Sequence, residues 1–408
     1  MIKKDFLILG GGIAGTTAAE EIRSKDKTSS ITIITQESDR LYSRVALRKY
    51  LRNESTLESL FIRTPENYQQ SNIELLTNLR AVKIDSQNKL VTTSDSQTFN
   101  YNKLLIATGG KVNKLTIPGS NLAEVTYLRT LEDVKKIKEI ITRSQEAVVI
   151  GGGFISIDYA QSFVMNNLKT TAIVREKSFW SEFVGENSAR LLSDILSKNG
   201  VKVITETQVT EFTGKTKLEG VKTDKGTFIK TDVAGVGIGI HLNTEFLKDS
   251  GLILKKGVVT NEFLESSVPE IWAAGDVAEF YDPIYKHYHT LGNWSNASAQ
   301  GRVAGLNMVG QKTAFETTSI YSINIFNSNF SVFGDQVVDQ STELIERGSL
   351  ADGKLGRLLL RDDIIVGASL INLPVDRNVL SNLIKNKVRI TAAKSKLSNL
   401  TFDLSTIS

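Results

Sequence analysis

Apolar residues come in short runs separated by glycine. Phe6-Leu7-Ile8-Leu9 is closed by Gly10-Gly11-Gly12, and Ala14 to Ile22 then carries small and apolar residues at helical spacing. Ile31-Thr32-Ile33-Ile34 is β-branched, so residues 5–36 predict strand, turn, helix, strand. The pattern restarts at Ala147-Val148-Val149-Ile150, is again closed by three glycines, and reaches Thr171-Ala172-Ile173-Val174-Arg175. Between these units, Tyr101 to Gly110 predicts a buried strand ending in a tight turn, and Leu131 to Ile141 an amphipathic helix. A second helix is expected over Ser188 to Lys198, then short strands to Gly235-Val236-Gly237-Ile238-Gly239. Residues 269–276 (PEIWAAGD) predict a strand ending in Gly-Asp, followed by a Tyr/His-rich loop and a helix over Ser295 to Met308. Past residue 317 the glycine turns stop. Alternating segments such as Tyr321 to Phe326 and Leu355 to Leu360 predict a separate α+β domain.

The two glycine turns carry the first chemical signal. Gly10-Gly11-Gly12-Ile13-Ala14-Gly15 and Gly151-Gly152-Gly153-Phe154-Ile155-Ser156 each sit between a strand and a helix. Such a turn presents unpaired backbone N–H groups to a pyrophosphate, and glycine leaves no Cβ in its way. Two of them suggest two dinucleotides, and two dinucleotides suggest electrons passed from one to the other. Glu37 lies just past the second strand, where an acid accepts hydrogen bonds from the ribose hydroxyls of an adenosine.

Composition narrows the classes. At 408 residues, 40% hydrophobic and 23% charged, the chain is expected to hold two or three ordinary globular domains. A net charge of +4 indicates neither nucleic acid nor a membrane surface. The basic run Lys385, Lys387, Arg389, Lys394, Lys396 is the best candidate face for an acidic protein. The start, Met1-Ile2-Lys3-Lys4, has too short an apolar stretch behind it for a signal peptide, and no run has transmembrane length; a cytoplasmic protein is expected. Cysteine is absent, which excludes a disulfide, a thiolate metal site, an Fe–S cluster and a redox-active thiol of the chain's own. Redox chemistry here must run on a bound cofactor.

In this order the motifs GGGIAG, ATGG, LRTLEDV, GGGFIS, GIGIHLN, AAGDV and GNWSNASAQGRVAGLNM resemble the pyridine nucleotide–disulfide oxidoreductase superfamily. The cysteine-free branch fits best: ferredoxin and rubredoxin reductases and apoptosis-inducing-factor-like flavoproteins. The resemblance runs nearly end to end, with the last 90 or so residues matching only loosely. It implies an α/β fold with two Rossmann-like dinucleotide-binding domains, one for FAD and one for NAD(P), the second inserted in the first. The FAD domain would comprise 1–113 and 247–316, the NAD(P) domain 114–246, and a small C-terminal α+β interface domain 317–408.

The resemblance also implies roles. Gly10, Gly12, Ile13, Ala14 and Gly15 would hold the pyrophosphate of non-covalent FAD, with Glu37 on its ribose. Arg44 would approach the pyrophosphate and Lys49 the flavin edge. Ala107, Thr108 and Gly109 would close the crossover over FAD. Gly275 and Asp276 would meet the ribitol, with Trp294 and Gln300 where the last helix meets the flavin. The second turn, through Gly151, Gly153, Phe154, Ile155 and Gly237, would bind NADH or NADPH. It departs from the family twice: Ser156 replaces a glycine, and Asp158 stands where the family has a glutamate beside the nicotinamide. Lys49 and Asp158 are the catalytic candidates, although a direct pair between them needs a water or a backbone shift. Arg175 suits a 2′-phosphate and leans towards NADPH, but Glu176 follows it and a shift of one residue reverses the argument.

His287 and His289, with Asp282 only nearby, invite a metal reading, but no third firm ligand has metal-site spacing, and no metal is expected. The expected activity is an FAD-dependent NAD(P)H oxidoreductase that hands electrons to a ferredoxin- or rubredoxin-type protein or to a small-molecule acceptor. Two alternatives stay open: a redox-responsive interaction protein with weak turnover, and an NAD(P)H oxidase using oxygen. The C-terminal domain is a candidate for dimerisation, for covering the flavin or for docking the acceptor.

Overall fold

The computed structural model describes residues 2–180, 184–318 and 320–407. The chain forms two compact units. The first comprises Met1–Val45, Thr56–Lys111 and Ile240–Ser319, the second Ala46–Ser55, Val112–Gly239 and Ile320–Ser408.

In the first unit the strand Ile2–Leu9 lies between two parallel neighbours, Ile31–Ile34 and Thr98–Ile106, with Ile73–Leu76 beyond the former. Ile271–Ala273 also runs parallel to Thr98–Ile106. These strands are apolar because both faces are covered, as parallel sheets require; Leu7, Ile8, Leu104, Leu105 and Ile106 are fully buried. The helices Ile13–Lys25 and Trp294–Met308 pack together through small residues. Gly301 lies so close to the Ala14 carbonyl that no side chain fits, and a Cβ on Gly305 would lie 2.8 Å from the Ala18 carbonyl. Two further strands, Ala81–Asp85 and Leu90–Thr93, extend the sheet antiparallel.

The second unit holds a parallel sheet in the order Val201–Ile204, Lys169–Ile173, Glu146–Ile150, Val233–Val236, Val125–Thr126. Its helices are Leu131–Ile141, Phe154–Met165 and Glu186–Lys198. Thr130 caps the first of these by accepting from the Asp133 N–H at 3.2 Å, while Asp133 reaches back to the Thr130 N–H at 2.7 Å. Residues 320–407 add an antiparallel sheet ordered Ile320–Ile325, Ser328–Gly334, Ile364–Ile371, Lys354–Arg361, Glu343–Ser349, with the helix Pro374–Lys385 against it. The short segment 46–55 belongs to this second unit, although the chain on either side of it belongs to the first.

The helices expected over Leu131 to Ile141 and Ser295 to Met308 are observed at Leu131–Ile141 and Trp294–Met308. The strands expected at Tyr321 to Phe326 and Leu355 to Leu360 lie at Ile320–Ile325 and Lys354–Arg361. Among the described residues no helix is long and apolar enough to cross a membrane.

Candidate functional site: two glycine turns

Each glycine turn sits at the carboxyl end of a central parallel strand, where open α/β sheets bind ligands. In the first unit Gly10 has φ +120°, and a side chain there would strike the Ala107 carbonyl. Gly15 would strike the Gly10 carbonyl, whereas a Cβ on Gly12 would meet nothing within 4 Å. Gly12 is the N-cap of helix Ile13–Lys25, and no side chain caps it. The first-turn N–H groups, including those of Ile13, Ala14 and Gly15, are therefore left for an anion in open space. This cradle fits the diphosphate of a dinucleotide.

Around it the structure gathers the other expected residues of the first unit. Thr35 packs on Gly11, and its hydroxyl accepts the Glu37 N–H at 3.3 Å. The Glu37 carboxylate accepts from both the Tyr42 hydroxyl and the Arg44 guanidinium. Arg44 also reaches the Tyr42 oxygen at 3.1 Å. Burial pushes the Arg44 guanidinium down, but Tyr42, Glu37 and Asp276 outweigh it and hold the group above its ordinary value. Glu37 and Arg44 thus form one charged cluster that extends to Asp276, and Tyr42 is the member that sequence reasoning missed. No signal in the local sequence separates Tyr42 from an ordinary buried tyrosine.

Thr108 and Gly109 are cross-tied to Asn243: the Thr108 hydroxyl donates to the Asn243 carbonyl at 3.3 Å, and the Asn243 N–H to the Gly109 carbonyl at 3.0 Å. The turn at Gly275 is held from helix Trp294–Met308, where the buried Gln300 accepts the Gly275 N–H at 2.7 Å. Gly292, just before that helix, lies against the Asp276 carboxylate, and Trp294 is its half-buried first residue.

In the second unit Gly151 has φ +115°, and a side chain there would strike the Gly237 carbonyl. Gly153 caps helix Phe154–Met165 without a side-chain bond, and the nearest atom to a Cβ placed on it is 3.8 Å away. This turn has the same open cradle. Phe154 starts the helix with its ring centroid 4.0 Å from Tyr321 and 4.5 Å from Trp180; Ile155 is exposed. At the end of the neighbouring strand, Arg175 donates to the Glu176 carboxylate at 2.7 and 3.0 Å, so the two residues weighed against each other for the ribose are bound to each other.

Asp158 is buried, and its carboxylate accepts from Arg52 at 3.0 Å, with Arg48 at 3.6 Å. Burial pushes the Asp158 carboxyl up against the pull of the two guanidiniums, and pushes the Arg52 guanidinium down. The partner weighed for Asp158 in the sequence was Lys49, but Lys49 is exposed on the short helix Leu47–Leu51. The physical reason is spacing: Arg48 and Arg52 share one face of that helix, and Lys49 points off it. Tyr321, hydrogen-bonded to Arg48 and held above its ordinary value by burial, completes the cluster; nothing in the sequence pointed to it.

The Tyr/His-rich loop is explained by its own bonds. Buried Asp282 accepts the N–H groups of Ile284 and Tyr285 at 2.8 and 3.2 Å and pairs with His289 at 3.0 Å.

Residues 4–301 match the family described as pyridine nucleotide-disulphide oxidoreductase, and the chain belongs to that family. It is 29% identical over 403 residues to the NAD(P)H nitrite reductase of Bacillus subtilis, covering 98% of this chain and 49% of that protein, so it spans about half of that relative's length. It is 29% identical over 310 residues to the NADH-rubredoxin oxidoreductase of Clostridium acetobutylicum, covering 76% of each. A solved covalent putidaredoxin reductase–putidaredoxin complex superimposes with a TM-score of 0.93 at 26% identity, covering 100% of this chain and 98% of that one.

Proposed function

We propose that the protein is an FAD-dependent NAD(P)H oxidoreductase that passes electrons to an external carrier of the ferredoxin or rubredoxin type. The observation that carries this reading is the pair of open glycine cradles, one in each compact unit, each at the end of a central parallel strand. FAD in the first and a pyridine nucleotide in the second would supply hydride acceptance followed by release of electrons one at a time. The chain's own part is to bind and to orient. Uncapped helix N-termini take the diphosphates, and Glu37 with Arg44 offers an acceptor and a cation beside the first. Gln300 fixes the Gly275 turn that presents Asp276. Lys49 at the flavin edge and Asp158 beside the nicotinamide remain the catalytic candidates, Asp158 acting through its arginines.

With no cysteine among these 408 residues, electrons cannot leave through a dithiol of this segment, and a separate carrier is the acceptor proposed. The domain limits proposed are 1–113 with 247–316 for FAD, 114–246 for the nucleotide and 317–408 for the C-terminal domain, the candidate for homodimerisation, in a cytoplasmic protein. The Arg175–Glu176 pair supports NADH over NADPH, because a 2′-phosphate must displace a carboxylate from Arg175.

The test is anaerobic stopped-flow at the flavin band, mixing flavin-loaded protein separately with NADH and NADPH. Fast bleaching, quicker with NADH, is expected. A yellow protein that bleaches slowly with both nucleotides would overturn the reductase and leave a flavin-binding interaction protein in its place.

A further inference from the structure

The two glycine turns differ from each other in a reciprocal way. Strand register makes the positions equivalent: Leu9 pairs with Ile106 in the first unit, Ile150 with Val236 in the second. The residues that follow, Ala107 and Gly237, therefore correspond, as do Gly15 and Ser156 at the same offset along each turn. The first turn has glycine on the helix and alanine on the strand. The second has serine on the helix and glycine on the strand.

The space around them explains the exchange. In the first turn a Cβ on Gly15 would strike the Gly10 carbonyl and lie 3.0 Å from the Ile8 side chain. In the second, Ser156 is fully buried, and its hydroxyl donates to the Gly237 carbonyl at 3.1 Å, with the Ile150 carbonyl 3.5 Å away. A Cβ on Gly237 would then lie 2.5 Å from that hydroxyl and 2.8 Å from the Ser156 nitrogen. The hydroxyl is thus directed at the carboxyl ends of both strands that frame the turn, and it fits only because residue 237 has no side chain.

We infer that Ser156 and Gly237 form a compensated pair in which Ser156 is a positioning residue for the pyridine nucleotide, holding the helix start of the second turn against its strands. This inference rests on the nucleotide reading of that turn. Serine in place of the usual glycine is then not a sign of a degenerate site.

The test is a double-variant cycle on the full flavin-loaded chain: wild type, Ser156→Gly, Gly237→Ala, and the double variant, which rebuilds in the second turn the arrangement of the first. NADH affinity, bound flavin per chain and the urea unfolding midpoint are measured on all four. Gly237→Ala is expected to weaken NADH by roughly tenfold or more, since each factor of ten is only 1.4 kcal/mol of misplacement. The double variant should recover part of that loss, because it removes the hydroxyl at 2.5 Å while the backbone nitrogen at 2.8 Å stays, with the flavin content constant across the set. Gly237→Ala binding NADH as the wild type does, or a double variant no better than Gly237→Ala, would overturn the pair. Should the wild type bind neither NADH nor NADPH, the positioning role falls with the proposed function. The unfolding midpoints then still decide the packing: recovery in the double variant supports the pair, and simple addition of the two losses rejects it.

Discussion

Asp158 shows how much a single carboxylate depends on what surrounds it. At 5% exposure it has two guanidiniums as counter-charges, and both come from the segment 46–55. Other bonds hold the same segment: Lys138 donates to the Tyr50 carbonyl at 2.9 Å, and Asn166 to the Leu51 carbonyl at 2.9 Å. Neutralising the carboxylate leaves Arg52, itself buried, with only the weaker pull of Glu54. Asp158→Asn should therefore cost about 3–5 kcal/mol, as removal of one member of a buried pair does. The loss is read as a lower urea midpoint at unchanged slope; a shift below about 1 kcal/mol, the range of exposed pairs, would show that water reaches the cluster. The motif singled out Asp158 as a candidate, but its partner was not legible, because which cation reaches a carboxylate is fixed by helix face and not by closeness in a motif. Glu37, Arg44 and Asp276 tell the same story: each could be picked out singly, and their convergence could not.

At the scale of elements, hydrophobic spacing located the long helices and buried strands to within a few residues, since burial on one face or both writes itself into the pattern. Between Glu37 and Tyr101 it named no strand or helix, yet the structure has Ile73–Leu76, Ala81–Asp85 and Leu90–Thr93 there. These strands are four or five residues long and mostly half-exposed, so too few apolar positions recur to form a signal. Helix Ile13–Lys25 illustrates an ending the pattern also missed. Its C-cap, Asp26, accepts from the N–H groups of Thr28 and Ser29 and from the Ser29 hydroxyl, which carries the chain round to the next strand. Hydrogen bonds from Ser29 and Thr28 lower its carboxyl from 3.8 to about 2. A depressed folded value means the stabilisation is fully present above the ordinary value and is lost as pH falls through about 2. Urea midpoints measured from pH 5 down to about pH 2 should fall less steeply for Asp26→Asn than for the parent chain, with the two curves converging in acid. Parallel curves across that range would remove Asp26 from the acid limb.

For the molecule as a whole, a net charge of +4 on 408 residues is too small to choose a partner, so local distribution must do it. Along the C-terminal segment Lys394 is taken up by Asp363 and Glu343, at 2.7 and 2.6 Å, whereas Lys385, Lys387, Arg389 and Lys396 are exposed. An acidic carrier protein drawn to such a face is steered before contact, and the steering weakens as salt shortens the Debye length to about 8 Å near physiological strength. A small uncharged acceptor feels no such field. With NADH saturating, kcat/KM for an acidic ferredoxin-type carrier should therefore drop steeply between low salt and physiological salt, while the rate with an uncharged quinone stays level. Reversing two charges, Lys385→Glu with Lys387→Glu, should lower the low-salt value for the carrier by roughly tenfold and flatten its salt dependence, with the quinone rate unmoved. Both substitutions lie on exposed positions, so a fall in the quinone rate would mean that the fold had been disturbed. A carrier rate that keeps its salt slope in the double variant would place the docking face elsewhere on the surface.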